Sequence, residues 1–412
     1  MSYSNKTYIA GNRFGLGLKP GEAAIVEADP RGWLLTQLDA IAQRPAILAD
    51  LPPSAEFIAT SSDLRNDMQR IRQRNDVSEQ AQRARRESRR VMVQDQQAHT
   101  LLRLQSSINT ETPFAERLLH FWSNHFTVAV SGGPKAIIRQ IALPYEQEAI
   151  RSNLDKDFAS LLLAVEQHPA MLVYLDNAVS IGPGSVVGKR RDRGLNENLA
   201  REILELHTLG VNGGYTQDDV TSLARIITGW TVADQRFDRL PNSTSDKTTG
   251  FTYISQLHEP GSHRLLSKSY RNTDMAQGKS ALEDLARHPA TARHIAEKLV
   301  RHFVSDAMPE SAITKLETVF LETGGDLPSL HTALVNLDEA WQPGQHKLKT
   351  PQDLVVSTAR ALELGESIQN QPRVANLFTR ILTTFGQMPF TALSPSLAPS
   401  TAARSHPTRC DR

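Results

Sequence analysis

The sequence has one cysteine, almost no net charge and no long apolar run, and each shortage excludes a class of protein. Because Cys410 is the single cysteine, a disulfide framework, a cysteine-based zinc site and an iron–sulfur cluster are excluded. The 46 basic and 45 acidic residues lack the basic excess of dedicated nucleic-acid-binding proteins, so we expect no nucleic-acid partner. No apolar run reaches the roughly 18 residues that cross a bilayer, so we expect no membrane span.

The N-terminus lacks the features of a secretory signal. Residues 1–17 (MSYSNKTYIAGNRFGLG) have no basic region followed by an apolar stretch and a small-residue cleavage site. The default expectation is a cytoplasmic protein, and export together with a partner stays open. The chain also has no P-loop, GxGxxG, HExxH or GxSxG motif.

Helix signals are frequent along the chain. Asp29 and Thr112 each precede a proline, which is typical of a helix N-cap followed by the first helical residue. Thr216 and Asp219 have the spacing of a capping box. The sequence therefore predicts a mainly α protein, a multi-helix globular fold with one small β-hairpin insertion.

The strand signals are confined to one region. Residues 250–257 and 264–270 alternate like strands, and the turn-forming segment 258–263 separates them, so we expect them to pair as a hairpin. Changes in composition along the chain predict four segments: a main helical body at 1–231, an irregular insertion with the hairpin at 232–280, a second helical lobe at 281–390 and a disordered tail at 391–412.

Residues 61–105 form a polar, Arg-rich segment within the first of these. A helix there has no apolar stripe between residues 72 and 90. It is either a solvated helical strap or a polyanion-binding face, and the absence of interleaved aromatic residues favours the strap. The basic cluster 189–193 follows a loop rich in glycine, where it meets phosphate, an acidic partner or only solvent.

A histidine stands out in the helix that starts near Phe114. At 100° per residue, His125 lies within an arc of aromatic residues, where its ring nitrogens need partners. It is therefore either a hydrogen-bonded core residue or a functional one. Glu116, His120 and Asn124 form a separate stripe that we expect to be a solvated helix face.

The segment 195–210 (LNENLAREILELHTLG) predicts a helix with polar groups against its apolar face. That face contains Leu206, His207 lies well inside it, and Glu202 lies at its border. Because Glu202 and His207 point about 140° apart on an α-helix, a direct acid–base pair between them is not expected.

Glu202 is instead expected to act with Asn198 and Glu205, with Arg201 or a histidine as the cation for the carboxylate. Two neighbouring carboxylates either raise one pKa and form a general acid, or bind a cation, or take part in an ion-pair network. The following glycines, 210–214, serve as a helix C-cap and turn or expose backbone N–H groups to an anion. His258 and His263 bracket a Pro-Gly turn, and without a third ligand they predict no metal site.

Several unusual strings resemble a bacterial family catalogued as domain of unknown function 1800. The matching stretches occur in the family's order and are NRFGLGLKPGE (12–22), PFAERLLHFWSNHFTV (113–128), LNENLAREILELHTLGVNGGYTQDDV (195–220), ARIITGW (224–230), HEPG (258–261), HPATARHIAEKLVRHFVSD (288–306) and KLKTPQDLVVSTARAL (347–362). The resemblance implies a mostly α fold and no assigned activity. It also implies a partner, a sulfatase/phosphatase-like protein with exported members.

The resemblance and the helix pattern together select the candidate site residues. The catalytic candidates are Glu202, Glu205, His207 and His125, and the binding candidates are Asn124, Asn198, Arg201, Tyr215 and His258. At the C-terminus the chain departs from the family, which has a Gly-Trp-Pro segment and a further helix. We therefore expect a truncation or a frameshift after residue 395.

Two functions follow from these residues. One is an enzyme, most simply a hydrolase that uses carboxylate and histidine acid–base chemistry, with no cofactor identified. The other is a non-catalytic accessory or assembly protein that binds the exported sulfatase/phosphatase-like partner.

Overall fold

The computed structural model describes residues 3–62, 79–130, 135–190, 194–234, 243–271, 274–344, 347–370, 372–387 and 390. The expected mainly α class is confirmed, because helices dominate this part of the chain and the strands are short. The predicted disordered tail at 391–412, the proposed truncation there and residues 63–78 of the strap lie outside the described residues. No described helix combines the length and apolar character needed to cross a membrane.

In chain order the α-helices are α1 (Asn5–Ile9), α2 (Glu22–Ala28), α3 (Pro30–Leu35), α4 (Glu79–Asn109), α5 (Pro113–His125), α6 (Ile138–Tyr145), α7 (Phe158–Gln167), α8 (Pro169–Tyr174), α9 (Asn198–Glu202), α10 (Gln217–Ile226), α11 (Met275–Ala286), α12 (Pro289–Phe303), α13 (Glu310–Glu322), α14 (Leu327–Asn336), α15 (Pro351–Ala361), α16 (Gly365–Asn370) and α17 (Pro372–Thr384). Residues 54–62 are also helical.

The predicted N-caps begin these helices. The Asp29 carboxylate accepts a hydrogen bond from the Gly32 N–H at the start of α3. Thr216 and Asp219 bond to each other's backbone in the predicted capping box of α10. Thr112 occupies the N-cap of α5 without a side-chain capping bond, and the Gln37 amide oxygen accepts from the Phe114 N–H in the first turn.

The predicted hairpin pairs differently. Strand β3 (Phe251–Ile254) lies between β1 (Trp230–Val232) and β2 (Ser243–Ser245), antiparallel to both. The expected pairing of 250–257 with 264–270 is therefore wrong, because both edges of β3 are already occupied. Residues 263–270 instead fold on themselves as β4 (His263–Leu265) and β5 (Lys268–Tyr270).

In the described residues, three α-helices continue as π-helical turns. They are Ala10–Phe14 after α1, Glu146–Ile150 after α6 and Ile203–His207 after α9. The predicted α-helix over 195–210 is therefore wrong in two respects: it begins at Asn198 and changes to π geometry at Ile203. Because the rotation per residue changes there, Leu206 turns outward and is 42% exposed instead of packing on the core face.

The largest apolar cluster contains side chains from Ile9 to Trp341. It draws on the main helical body, the insertion and the second lobe alike, and the division into those segments stays a prediction. The strap is exposed at Arg86, Arg89 and Arg90 of α4. The C-terminal part of α4 is buried against other helices.

A buried ion-pair network lies beside α5. Glu116 binds Arg151 at 2.6 Å, and Ser107 bonds to the His120 ring at 2.9 Å. Glu116 is buried and the His120 side chain is only 9% exposed, so the expected solvated face is wrong for them, although Asn124 is exposed. A stripe of polar residues looks the same from sequence whether it meets water or charged residues from distant helices.

Candidate active site

The π-helical turn Ile203–His207 places His207 against the end of α7. His207 Nδ1 donates to Glu166 Oε1 at 2.7 Å, and both side chains are almost completely buried. Since a carboxylate only accepts, Nδ1 carries a proton. No hydrogen bond joins Nε2 to a described residue. Fully buried atoms without a partner do occur in this structure, and Nε2 is not one of them. His207 is thus an oriented base with its second nitrogen available.

Two further histidines hold the backbone of this turn. His125, from the end of α5, donates from Nε2 to the carbonyl oxygen of His207 at 3.1 Å. His294, from α12, donates from Nε2 to the carbonyl oxygen of Leu206, also at 3.1 Å. Carbonyl groups at a helix end have no partner within the helix, so these two rings satisfy them. Both histidines therefore position His207.

Burial keeps these two histidines neutral. Desolvation, with a contribution from the nearby Lys298 ammonium, holds the pKa of His125 well below its usual range. The same two causes lower the pKa of His294 to about 4. Gly210 lies against the His294 ring. Its φ is +84°, and a Cβ there would lie 3.0 Å from His294 Nδ1. Because its φ lies in the left-handed region, this position favours glycine.

Glu202 is partly buried and interacts electrostatically with both members of the buried pair. Partial burial raises its pKa, the negative charges of Glu205 and Glu166 raise it further, and His207 opposes them. The predicted 140° separation of Glu202 and His207 assumed an α-helix. A π turn hydrogen-bonds residues five apart, so it brings these two residues toward one side. The carboxyl and the imidazole therefore act within one electrostatic environment.

The binding candidates on this side of the fold have separate partners. Arg201 binds Glu197 at 3.2 Å and Gln217 at 2.9 Å, so it does not supply the expected cation for Glu202. The Asn198 amide donates to Asp176 at 3.5 Å. Arg201 and Asn198 therefore brace the neighbouring loops.

Tyr215 and Tyr174 border the carboxylates. Burial and the charge of Glu205 raise the pKa of Tyr215, and burial and the charge of Glu202 raise that of Tyr174. Both phenols therefore stay protonated and can donate hydrogen bonds. Asn124 is exposed, and its backbone carbonyl accepts from the Thr127 hydroxyl.

His258 belongs to a different part of the molecule. Its Nδ1 donates to the carbonyl oxygen of Thr228 at 3.0 Å, and its ring meets that of Tyr253. It lines a pocket of about 440 Å³ together with Lys189 and Arg190. The structure thus brings together His125, His207, Glu202 and Glu205 and places His258 elsewhere. In the described ranges, no three His, Cys, Asp or Glu side chains converge as metal ligands.

The motif resemblance agrees with a comparison to family models. The family described as "Protein of unknown function (DUF1800)" matches residues 9–397. The chain belongs to this family. No curated protein and no solved structure matches the chain. Because the DUF1800 description assigns no reaction, the function has to be argued from the site.

Three residues of this DUF1800 site were missed from the sequence. Glu166 is the single charged residue of α7, whose other positions are largely apolar, and a lone carboxylate in such a helix is a usable signal. His294 and Lys298 lie one turn apart on α12 within an ordinary amphipathic pattern, which gave no signal. Burial lowers the pKa of Lys298 to about 8, and no described carboxylate lies within ion-pair distance of it.

Proposed function

We propose that this protein is a hydrolase whose acid–base groups are His207 and Glu202. The observation that carries the proposal is the 2.7 Å bond from His207 Nδ1 to the buried Glu166 carboxylate, while no hydrogen bond joins Nε2 to any described residue. A carboxylate that fixes the tautomer and orientation of an imidazole is the arrangement that hydrolytic enzymes use for a general base.

In this scheme the two groups have complementary roles. His207 Nε2 takes a proton from water, and Glu166 stabilises the imidazolium that forms. Glu202, whose raised pKa favours the protonated form, gives a proton to the leaving group. No described serine or threonine hydroxyl is bonded to His207, so water is the nucleophile in this scheme. Glu205 contributes by keeping the pKa of Glu202 high.

Kinetics of single variants on a panel of ester, amide, phosphate-ester and glycoside substrates test this proposal. On the substrate that wild type hydrolyses, we expect His207→Gln and Glu202→Gln each to lower kcat about 10²–10⁴-fold, the usual contribution of a positioned acid or base. Wild-type kcat should also depend on pH, and Glu202→Gln should remove the limb that reports the acid.

A matched control is Glu339→Gln, since Glu339 is a surface carboxylate bonded to Lys315 and Ser311. It should leave kcat unchanged. Full activity of His207→Gln with an unchanged circular dichroism spectrum would refute the assignment.

The exposed arginines of α4 favour a second candidate, the accessory protein. Arg86, Arg89 and Arg90 are exposed on one long helix, and such a surface fits an acidic partner, here the sulfatase/phosphatase-like protein that the resemblance implies. Co-purification of that partner with wild type, lost when the three arginines become glutamine, tests it. Equal recovery with the triple variant rejects this surface. Cytoplasmic location stays a prediction for either function.

A further inference from the structure

The pocket lined by His258 lies between two segments that share backbone hydrogen bonds. Gly182 N–H donates to the Leu257 carbonyl at 2.9 Å, and Val187 N–H donates to the Gln256 carbonyl at 3.2 Å. These bonds tie segment 182–190 to segment 255–260. The pocket wall is therefore held by backbone hydrogen bonds, which lowers the ordering cost of binding.

Two glycines allow this close approach. A Cβ on Gly182 would lie 2.6 Å from the Glu259 backbone, and a Cβ on Gly184 would lie 2.8 Å from the Glu259 carboxylate. Gly184 N–H donates to that carboxylate at 2.6 Å. Glu259 therefore lies beside the pocket wall with its carboxylate on the Gly184 N–H, although it is not among the described lining residues.

The charged side chains that do line the pocket are mainly basic. Lys189 and Arg190 are exposed at its edge, and neither forms an ion pair with a described carboxylate. Asp274 is the one acid among the described lining residues. The Ser185 hydroxyl oxygen accepts from Gly188 N–H at 3.0 Å, so its hydrogen remains available for an acceptor. The pocket therefore offers cationic and hydroxyl donors together.

We propose that this pocket binds a small molecule that carries a tetrahedral oxyanion, a phosphate or sulfate ester. Lys189 and Arg190 bind the oxyanion, and Ser185 donates a hydrogen bond to it. Asp274 accepts from hydroxyl groups on the rest of the ligand. The volume of about 440 Å³ lies within the range of small-molecule sites and fits a single sugar-sized unit with its ester. This site is separate from His207 and does not depend on the proposed hydrolysis.

Calorimetric titration of the full chain tests the site at fixed ionic strength. The probes are glucose 6-phosphate, glucose 6-sulfate, inorganic phosphate and glucose. We expect at least one of the two esters to bind more tightly than glucose. The preferred ester then identifies whether phosphate or sulfate is the natural source of the oxyanion.

The double variant Lys189→Met, Arg190→Met should raise the Kd of the bound ester at least 10-fold. The control is Lys268→Met, another exposed lysine, which is paired with Asp284 outside the pocket. It should leave that Kd unchanged. Both variants replace exposed side chains, so unfolding curves should match wild type. Binding of neither ester, equal binding of glucose, or an equal loss in both variants would overturn the proposal.

Discussion

Two buried polar regions of this protein pair their charges differently. Beside α5, three arginines each meet a carboxylate at ion-pair distance. The pairs are Arg103–Glu146 at 2.7 Å, Arg151–Glu116 at 2.6 Å and Arg117–Asp353 at 3.3 Å. Around His207, in contrast, Glu202 and Lys298 have no such partner in the described residues. The first region is charge-balanced, and the second retains unpaired groups.

This difference distinguishes a region that stabilises the fold, beside α5, from a candidate functional site, around His207. A paired buried charge holds distant helices together and resists titration, since each partner stabilises the charged form of the other. In an unpaired, partly buried group, burial shifts the pKa in the direction that favours the uncharged form. The shift lowers the stability of the fold and provides a proton donor or acceptor near neutral pH. Removing a charge should therefore have opposite effects on stability in the two regions.

The largest effect is expected when the balanced region loses one partner. Arg151→Met leaves the buried Glu116 carboxylate without its cation, so we expect the free energy of unfolding to fall by about 3–5 kcal/mol. Urea unfolding followed by circular dichroism measures this. Arg293→Met, which removes a much more exposed set of ion pairs, is the control and should cost no more than about 1 kcal/mol. Equal losses in the two variants would contradict the comparison.

The opposite sign is expected at Lys298. Its pKa falls from 10.5 to about 8 on folding, so the folded state binds fewer protons between these values and stability rises with pH across that window. Below pH 8 the cost is fully present, and Lys298→Met should raise the free energy of unfolding by up to about 3 kcal/mol.

Above pH 10.5 this gain should vanish, because the lysine is then neutral in both states. Unfolding curves at pH 7 and pH 10.5 provide the measurement. Lys315→Met, at a surface lysine paired with Glu339, serves as the control and should show no such pH-dependent gain. A destabilised Lys298→Met at pH 7 would show that the ammonium is favourably solvated.

Glu202 should show a smaller gain of the same kind. Its pKa is raised on folding, so the folded state binds more protons than the unfolded state above pH 4.5, and stability falls as pH rises through the folded pKa. Glu202→Gln should therefore be more stable than wild type at pH 7 and equal to it near pH 4. Thermal unfolding at the two values tests this. A gain of equal size at both values would exclude the carboxyl as its source.

The smallest effect is expected at Arg201. Its ion pair with Glu197 is largely solvated, so Arg201→Met should change the free energy of unfolding by less than about 1 kcal/mol. Hydrolytic activity should also stay within twofold of wild type, because the guanidinium is directed toward Gln217. A large loss of kcat with unchanged stability would instead show that Arg201 takes part in the reaction.

The sequence predicted the site in part. The burial of His125 and His207 was visible because apolar neighbours at helical spacing surround them. The partner of His207 was not, because Glu166 lies 41 positions away and its contact depends on how α7 packs. The absence of a direct Glu202–His207 pair stays a prediction, but the 140° angle behind it does not hold, since sequence periodicity assumes one rotation per residue and a π turn changes it.

Local interactions are what the sequence by itself determined. The capping boxes and the proline helix starts join residues three or fewer positions apart, so their geometry is fixed within one turn of chain. The tertiary structure decided which buried charges are paired, where the histidines from α5 and α12 meet the π turn, and that β3 takes two other partners. Those contacts join distant residues, and only the packing of the whole core selects among the many partners that composition allows.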